Sequence, residues 1–546
     1  MLDLLIKNGN VVDGAGTQAF PADVAVQGER IQAVGKIDRP ARVELDAGGL
    51  VVAPGFIDVH SHCDWVLPQP DHPQVLAPFL EQGITTVVGG NCGFSPAPLH
   101  PGANVPELLD NISIFLAGRA LEKRWGSMAS FLDDLERQGV CLNLAQLEGH
   151  GVLRLSRLGR NYGPPSEADL ADLERAVDES LAGGAFGLSL GLGYEPGLFT
   201  RTPELKRLAA RVKAHGAVLA VHARALSRLS TAFGRNPFIG PHNLAALAEC
   251  LSLAEETGVR LQISHLIFVG KRTWPTVDRA LEMIDSAYRR GVDVGFDAYP
   301  QTAGNTTILA PYPDWFLKDA AANFRKPLAL LRLRIEWFFG FWLNGFNLGN
   351  ARLMWPDEPD LARYAGMFFP EIARDMGCAV DRAYIEVSRR TEGRALCLFY
   401  NYSGDEKDES ALIKVLTHPL CLYMTDALAT RRGLANPGTY GAFPRLIQML
   451  GREPGPLALE KTIARMTGWS ASRFGLADRG TITPGAYADV VVFDRDGLRD
   501  NTGPDDSRAR PSGIRHVLVN GRQVVKDGTA DPGVKAGRVL RRGPAF

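Results

Sequence analysis

The feature that most limits what this chain can become is an alternation, repeated eight times, of a short apolar run of β character and a helical segment. The runs are Phe56–His62, Ile84–Asn91, Leu142–Leu147, Ala185–Leu190, Val218–His222, Leu261–His265, Val292–Asp297 and Leu420–Thr425. Between them lie stretches such as residues 167–181, whose apolar positions recur every three to four residues, as on one face of a helix. Parallel strands cannot be joined by tight turns and need crossovers of this length. Eight such units predict an α/β fold, a (β/α)8 TIM barrel, which keeps its chemistry at the carboxyl ends of its strands.

Two parts of the 546 residues fall outside that repeat. Residues 1–54 read as short strands and turns, among them Leu4-Leu-Ile, Val24-Ala-Val and Ile31-Gln-Ala-Val, too little to bury a core alone. The far end, 480–546, shows the same pattern in Ala488-Asp-Val-Val-Val-Phe-Asp and His516-Val-Leu-Val-Asn-Gly-Arg. The two termini are therefore expected to form one small β-sandwich beside a barrel over 55–479. A span from about 310 to 415 is too long for one connection and predicts a helical insertion between strands seven and eight. It carries Trp337, Phe338, Phe339, Phe341, Trp342 and Phe346, read first as the insertion's own core or a subunit contact, with a lid over an apolar cleft as the rival. Residues 501–512 read as a flexible polar loop.

Net charge is −1, from 60 Lys+Arg against 61 Asp+Glu, so no basic field exists for nucleic acid or an anionic membrane. A small-molecule partner is expected, and a homo-oligomer is compatible with this composition. The seven cysteines are scattered without disulfide-scaffold or zinc-ribbon spacing, which fits a reducing compartment. Met1-Leu-Asp-Leu-Leu-Ile-Lys reads as a first strand rather than a signal peptide, and the most apolar window, residues 335–343, is too short to span a bilayer of ~20 residues. A cytoplasmic protein with no membrane span is expected.

Metal-competent residues fall repeatedly at the ends of the predicted strands. Strand one ends in His60 and His62, which strand alternation would set on one face about 7 Å apart. Strand two leads to Cys92, strand five to His222, strand six to His265 and strand eight to Asp426. Taken singly, a histidine is more often a surface or core residue and a cysteine a small buried hydrophobe. Six such coincidences on one barrel rim instead suit one or two zinc ions, whose ligands are imidazole, thiolate and carboxylate. His72, His100, His215, His242, His418 and His516 lie elsewhere and read as structural; Glu148 and His150, after strand three, remain open as additions to the site.

With these residues in view the chain resembles the amidohydrolase superfamily, and within it the N-acyl-D-amino-acid deacylases (D-aminoacylases). The resemblance is carried by Pro54-Gly-Phe-Ile-Asp-Val-His-Ser-His-Cys-Asp, Gly83-Ile-Thr-Thr-Val-Val-Gly-Gly-Asn-Cys-Gly-Phe, Gly184-Ala-Phe-Gly-Leu-Ser-Leu-Gly-Leu-Gly-Tyr-Glu-Pro-Gly, Ile263-Ser-His-Leu, Asp297-Ala-Tyr-Pro, Tyr440-Gly-Ala-Phe-Pro-Arg and Gly485-Ala-Tyr-Ala-Asp. It implies a tight zinc at Cys92, His222 and His265 and a second, weaker position at His60 and His62, with Cys92 replacing the carboxylated lysine of other amidohydrolases. No lysine occurs between Lys123 and Lys206, where strands three and four would supply that bridge. Amide hydrolysis then needs a metal to polarise the carbonyl and activate water, and a carboxylate, Asp426, to accept the water proton and pass it to the departing amine.

This chain departs from the family where substrate is held. The usual Ile-Ser-His-Leu-Lys ends here in Ile267, the usual Tyr-Pro-Tyr-Thr-Ala-Gly-Ser ends in Asn305, the usual His-x-Arg-x-Glu ends in Leu226, and Asn436 stands where histidine is usual. Of the groups that in the family hold a free carboxylate, only Tyr299 remains; Arg224 and Arg445 are the nearest other cations in motif. The expectation is a zinc amidohydrolase of linear N-acyl amides, its substrate bulky and apolar, with Tyr299, Ile267, Asn305 and Arg224 at the substrate. The alternatives are a D-aminoacylase of ordinary specificity, a cyclic-amide hydrolase of hydantoinase or dihydroorotase type, and a non-catalytic metal-binding scaffold.

Overall fold

A computed structural model describes the chain except residues 101, 103–111, 113, 117–120, 161, 234–238, 357 and 544–546. All eight expected barrel strands are present: Phe56–Asp58, Ile84–Gly89, Asn143–Gly149, Gly187–Gly191, Val218–His222, Arg260–Ile263, Val294–Ala298 and Cys421–Tyr423. They pair in parallel, each with its neighbour in the chain. Their residues are buried on both faces, as parallel strands covered by helices must be. Ile57, Val88, Ala145, Leu147, Val218, Ala220 and Leu422 fill the barrel, while Leu144, Leu188, Leu219, Val221 and Leu261 face the helices.

The barrel closes at a seam between its first and last strands. There the Asp426 N–H donates to the His60 carbonyl at 3.0 Å, and the Asp58 carboxylate accepts from the Thr425 N–H at 3.0 Å and its hydroxyl at 2.6 Å. Asp58, fully buried, is the side chain that ties the two ends of the barrel; burial pushes its pKa up to about 7, against those hydrogen bonds.

The two termini share one nine-stranded sheet, in which Val51–Pro54 pairs antiparallel with Val490–Phe493 and in parallel with Leu2–Val11. Alternate residues decide its two faces. Ile6, Val24, Val26, Val52, Val490, Val492 and Leu518 enclose a core of their own, while Val491, Phe493, Val517 and Val519 join the core outside the barrel strands. Asp489 fastens sheet to barrel: it accepts from Asn143 of the third strand (3.1 Å) and from the Asn520 N–H (2.8 Å), and pairs with the buried Arg479.

The insertion between strands seven and eight is more than helical. Ala303–Thr307, Leu396–Tyr400 and Ala351–Trp355 form an antiparallel sheet, with Leu396–Tyr400 in the middle, over a separate core that includes Tyr312, Phe316, Trp337, Phe369 and Tyr384. The aromatic cluster divides along helix Pro327–Asn344. Trp337 is buried and Phe341 half-buried, whereas Phe338, Phe339 and Trp342 are 70%, 58% and 60% exposed. The 501–512 segment is held rather than free: Arg508 donates to the carbonyls of Thr430, Arg432 and Gly433, and Arg510 pairs with Glu81. Among the described residues no helix is long and apolar enough to cross a membrane.

Asp489→Ala leaves the Arg479 guanidinium buried without its carboxylate, a loss of about 3–5 kcal/mol. We expect a lower urea midpoint for this variant; an unchanged midpoint would show that the pair does not join the two parts.

Candidate metal centre

The six expected ligands converge. The Cys92 sulfur lies 3.3 Å from His60 Nε2, 3.3 Å from His265 Nε2 and 3.7 Å from His222 Nδ1, and those last two nitrogens are 2.8 Å apart. Asp426 Oδ1 lies 3.4 Å from His60 Nε2 and 3.5 Å from His62 Nε2. The atoms fall into two sets, His60, His62, Cys92 and Asp426, and Cys92, His222 and His265, each within 4.8 Å. Cys92 is common to both. A tetrahedral zinc with nitrogen and sulfur ligands holds them about 3.3–3.6 Å apart. The observed spacings surround that value, so the donor set fits zinc in chemistry and in size.

The strands end earlier than the sequence implies, and the ligands lie just past them. The first strand stops at Asp58, so His60 and His62 sit in the following loop, with ring centroids 5.7 Å apart and planes at 80°. Strand alternation is therefore not what brings them together. Cys92, His265 and Asp426 follow their strands in left-handed backbone, at φ 56°, 31° and 48°. Each such residue costs roughly 1–3 kcal/mol and persists only where neighbours hold it. For Cys92 the holders are Asp64, which accepts from the Gly90 N–H at 2.9 Å, and Ser189, which accepts from the Gly93 N–H at 2.9 Å. For His265 the holder is Asp297, whose Oδ1 accepts its N–H at 2.6 Å and lies 3.6 Å from His60 Nδ1. For Asp426 it is the seam itself.

Electrostatics separates Cys92 from the other cysteines. Burial alone would push its thiol up, but the His60 and His265 imidazoles and hydrogen bonds from His222 and His265 outweigh this and hold it well below the ordinary thiol value. Cys63, next to the histidine pair in sequence, has its pKa pushed well up by burial, and lies outside both ligand sets. Glu148 and His150 also stand apart. Glu148 points from its strand toward the helices, its pKa pushed up to about 8 by burial, and His150 pairs with Glu204 at 2.9 Å beside Arg154. Of the other histidines, His72, His215, His242, His418 and His516 bond elsewhere, to Gln69, Asp178, Ser230, Asp285 and Gln523.

A cavity of about 380 Å³ opens over the centre, lined by His62, Cys92, His222, His265 and Asp426 and by all four residues expected at the substrate. The Tyr299 hydroxyl is buried without a hydrogen-bond partner among the described residues. Ile267 packs on Tyr299 in the barrel core, and Asn305 is paired with Asn436. Arg224 is a brace rather than a free cation: it bonds to both oxygens of Glu249 at 2.9 Å and to the carbonyls of Leu198 and Thr200. Arg445, the other candidate in motif, bonds to Glu409 and the Pro300 carbonyl. The cavity's remaining arginines, Arg160 and Arg394, pair with Glu195 and Glu392.

One site residue had no role assigned from sequence. The Tyr194 hydroxyl reaches His222 Nδ1 at 2.6 Å from the glycine-rich turn after strand four. Its signal was the turn itself: a Cβ at Gly193 would come within 2.6 Å of His222 Nε2, so only glycine lets the loop pass so close.

Comparison with known proteins agrees with this architecture. An amidohydrolase family model matches residues 426–525. An N-acyl-D-glutamate deacylase of Alcaligenes xylosoxydans xylosoxydans is 35% identical, over 99% of this chain and 97% of the relative. The crystal structure of N-acyl-D-glutamate deacylase from Bordetella bronchiseptica, complexed with zinc and a phosphonate that mimics the tetrahedral intermediate, superposes with a TM-score of 0.80 at 30% identity, over 99% of this chain and 100% of that one. A D-aminoacylase structure that addresses a binuclear metal center gives 0.79 at 29% identity, with the same coverage.

Zinc content separates the cysteines. Cys92→Ala is expected to lose bound zinc while Cys63→Ala keeps it, measured by elemental analysis of the purified variants. Unchanged zinc in Cys92→Ala removes the thiolate from the centre.

Proposed function

Because the chain belongs to the amidohydrolase family, on the branch of the N-acyl-D-amino-acid deacylases, we propose that it hydrolyses linear N-acyl amides that are neutral and apolar beyond the amide nitrogen, with zinc as its metal. That it is a metal-dependent hydrolase of carbon–nitrogen bonds follows from the family. The observation that carries the finer reading is that, among the described residues, the arginines lining the cavity, Arg160, Arg224 and Arg394, each pair with a carboxylate of the protein, beside Ile267 and the Asn305–Asn436 pair. A substrate carboxylate entering there meets, among the described residues, cations that are already matched.

Cys92, His222 and His265 would hold the tighter zinc, with His60, His62 and Asp426 around a second position. Zinc there supplies Lewis acidity toward a carbonyl and a water whose pKa falls to ~7. Asp426, part-exposed to the cavity, accepts the water proton as oxygen attacks the carbonyl carbon. It returns that proton to the amide nitrogen as the C–N bond breaks, so that a carboxylic acid and an amine leave. Its left-handed backbone and its hydrogen bond to His60 keep the carboxylate beside the histidines through both transfers. The Tyr299 hydroxyl, buried and unpartnered, is available to donate to the substrate.

Asp426→Asn keeps the shape and removes the proton carrier. It should leave circular dichroism unchanged and lower kcat by about 10²-fold or more, the size of general acid–base contributions. A variant of near-normal kcat would assign the proton to another group.

The substrate class is read from matched pairs, one acyl group on an amino acid and on its neutral amide. We expect kcat/KM to favour the neutral partner by roughly tenfold, since a buried charge without a partner costs about 1–3 kcal/mol or more. A tenfold preference for the free acid overturns the neutral-substrate reading and leaves the hydrolase reading standing.

A further inference from the structure

A second, larger cavity of about 850 Å³ lies beside helix Pro327–Asn344 of the insertion. It adjoins the cavity over the metal centre: Ser227, Ser230, Val269, Ala310, Tyr312 and Tyr402 line both. Its walls are Pro311, Trp337, Phe341, Phe346 and Phe399, and Ile335 and Phe339, 50% and 58% exposed, form part of its lining toward solvent. Several polar groups among its lining residues are bonded within the protein. The Trp337 indole donates to the Pro311 carbonyl at 2.8 Å, Arg332 pairs with Glu336 at 2.9 Å, and the Asn344 amide bonds to both backbone groups of Leu229. Such walls offer mainly hydrocarbon contact, and the charges of Arg332 and Glu336 are paired with each other.

We propose that this cavity receives an extended hydrocarbon chain carried by the substrate, running on from the metal centre past Val269 and Tyr402. The proposal rests on the hydrolase reading above and extends it from a neutral substrate to a long-chain one. A substrate confined to the smaller cavity would leave aromatic surface in the larger one against water. A chain that continues into it removes that surface from water together with its own, and each buried methylene is worth about fourfold in affinity. The chain reaches the site from either arm of the amide, acyl or amine, and both arms share this chemistry.

Gly340 provides a plug. It lies in the helix, lines the cavity, and a Cβ built on it meets no atom within 4 Å. Gly340→Leu therefore narrows the cavity without a clash at the backbone and improves helix propensity. The experiment uses the zinc-loaded enzyme and two series of neutral amides, one lengthening the acyl chain from two to twelve carbons on a fixed amine, the other lengthening the amine on a fixed acetyl group. Calorimetry with 1-decanol, a probe that needs no turnover, accompanies them.

In the wild type, kcat/KM should rise about fourfold per methylene along at least one series, and the arm that rises identifies the chain's source. Gly340→Leu should flatten that rise, weaken 1-decanol binding tenfold or more, and leave the two-carbon substrate within twofold. Hydrolysis of short amides with no gain from chain length in either series overturns the proposal while sparing the hydrolase reading. Binding of 1-decanol that Gly340→Leu abolishes, without hydrolysis of any amide, supports the cavity and overturns the hydrolase reading. A rise with chain length that Gly340→Leu does not touch also overturns the proposal, since the chain then lies elsewhere.

Discussion

The structure turns on one buried sulfur. The Cys92 thiol sits, buried, where four histidines and a carboxylate aim. A thiolate in such a place is tenable only among cations or hydrogen-bond donors, and the imidazoles around it supply the donors. Much of the barrel's rim can be understood as the means of keeping these groups together. Asp64 and Ser189 hold the Cys92 loop, Asp297 holds His265 and faces His60, and Asp58 holds the seam that carries Asp426. Three ligands in left-handed backbone are the strain that remains after this bracing.

The barrel was legible because each strand is a continuous apolar run, which no solvent-facing segment of this length needs to be. All eight appear within a few residues of their expected bounds. The six candidate ligands are legible as a set of residue types near strand ends, and the structure brings them together, yet for the histidine pair a loop past Asp58, not alternation along a strand, does so. What could not be read was supplied by residues far apart in the chain. The insertion's sheet escaped notice because Ala303–Thr307 has no apolar alternation and its partners lie at Ala351–Trp355 and Leu396–Tyr400. The 501–512 segment looked free because its anchors, the carbonyls of residues 430–433 and Glu81, are invisible from composition. Arg224 looked like a cation for substrate until Glu249 was found beside it.

The proposed specificity rests on what surrounds the centre rather than on the centre. Leu226, Ile267 and Val269 line one part of the cavity as apolar surface, and the described arginines of its lining are matched in pairs within the protein. The insertion, with its own core and its own sheet, is structurally separable from the barrel that carries the metal ligands. Its walls can change while Cys92 and the histidines stay as they are.

The sheet built from both termini has a consequence for how the molecule comes into being. Val51–Pro54 leaves the ribosome early, but its antiparallel partner Val490–Phe493 is made roughly 440 residues later, which at about 5–20 residues per second is a delay of some tens of seconds. Through that interval Ile6, Val24, Val26 and Val52 lack the wall supplied by Val490, Val492 and Leu518, and for most of it, until Cys421–Tyr423 is made, the first barrel strand has no eighth strand to close against. Barrel seam and terminal sheet are thus completed in turn, the first with Cys421–Tyr423 and the second only from Val490 onward. A nascent chain of this protein carries Val51–Pro54 without its antiparallel partner until residue 490 is made, so that messenger truncation before residue 421 removes the strand that closes the barrel, and truncation between 426 and 490 keeps that strand but leaves the terminal sheet divided.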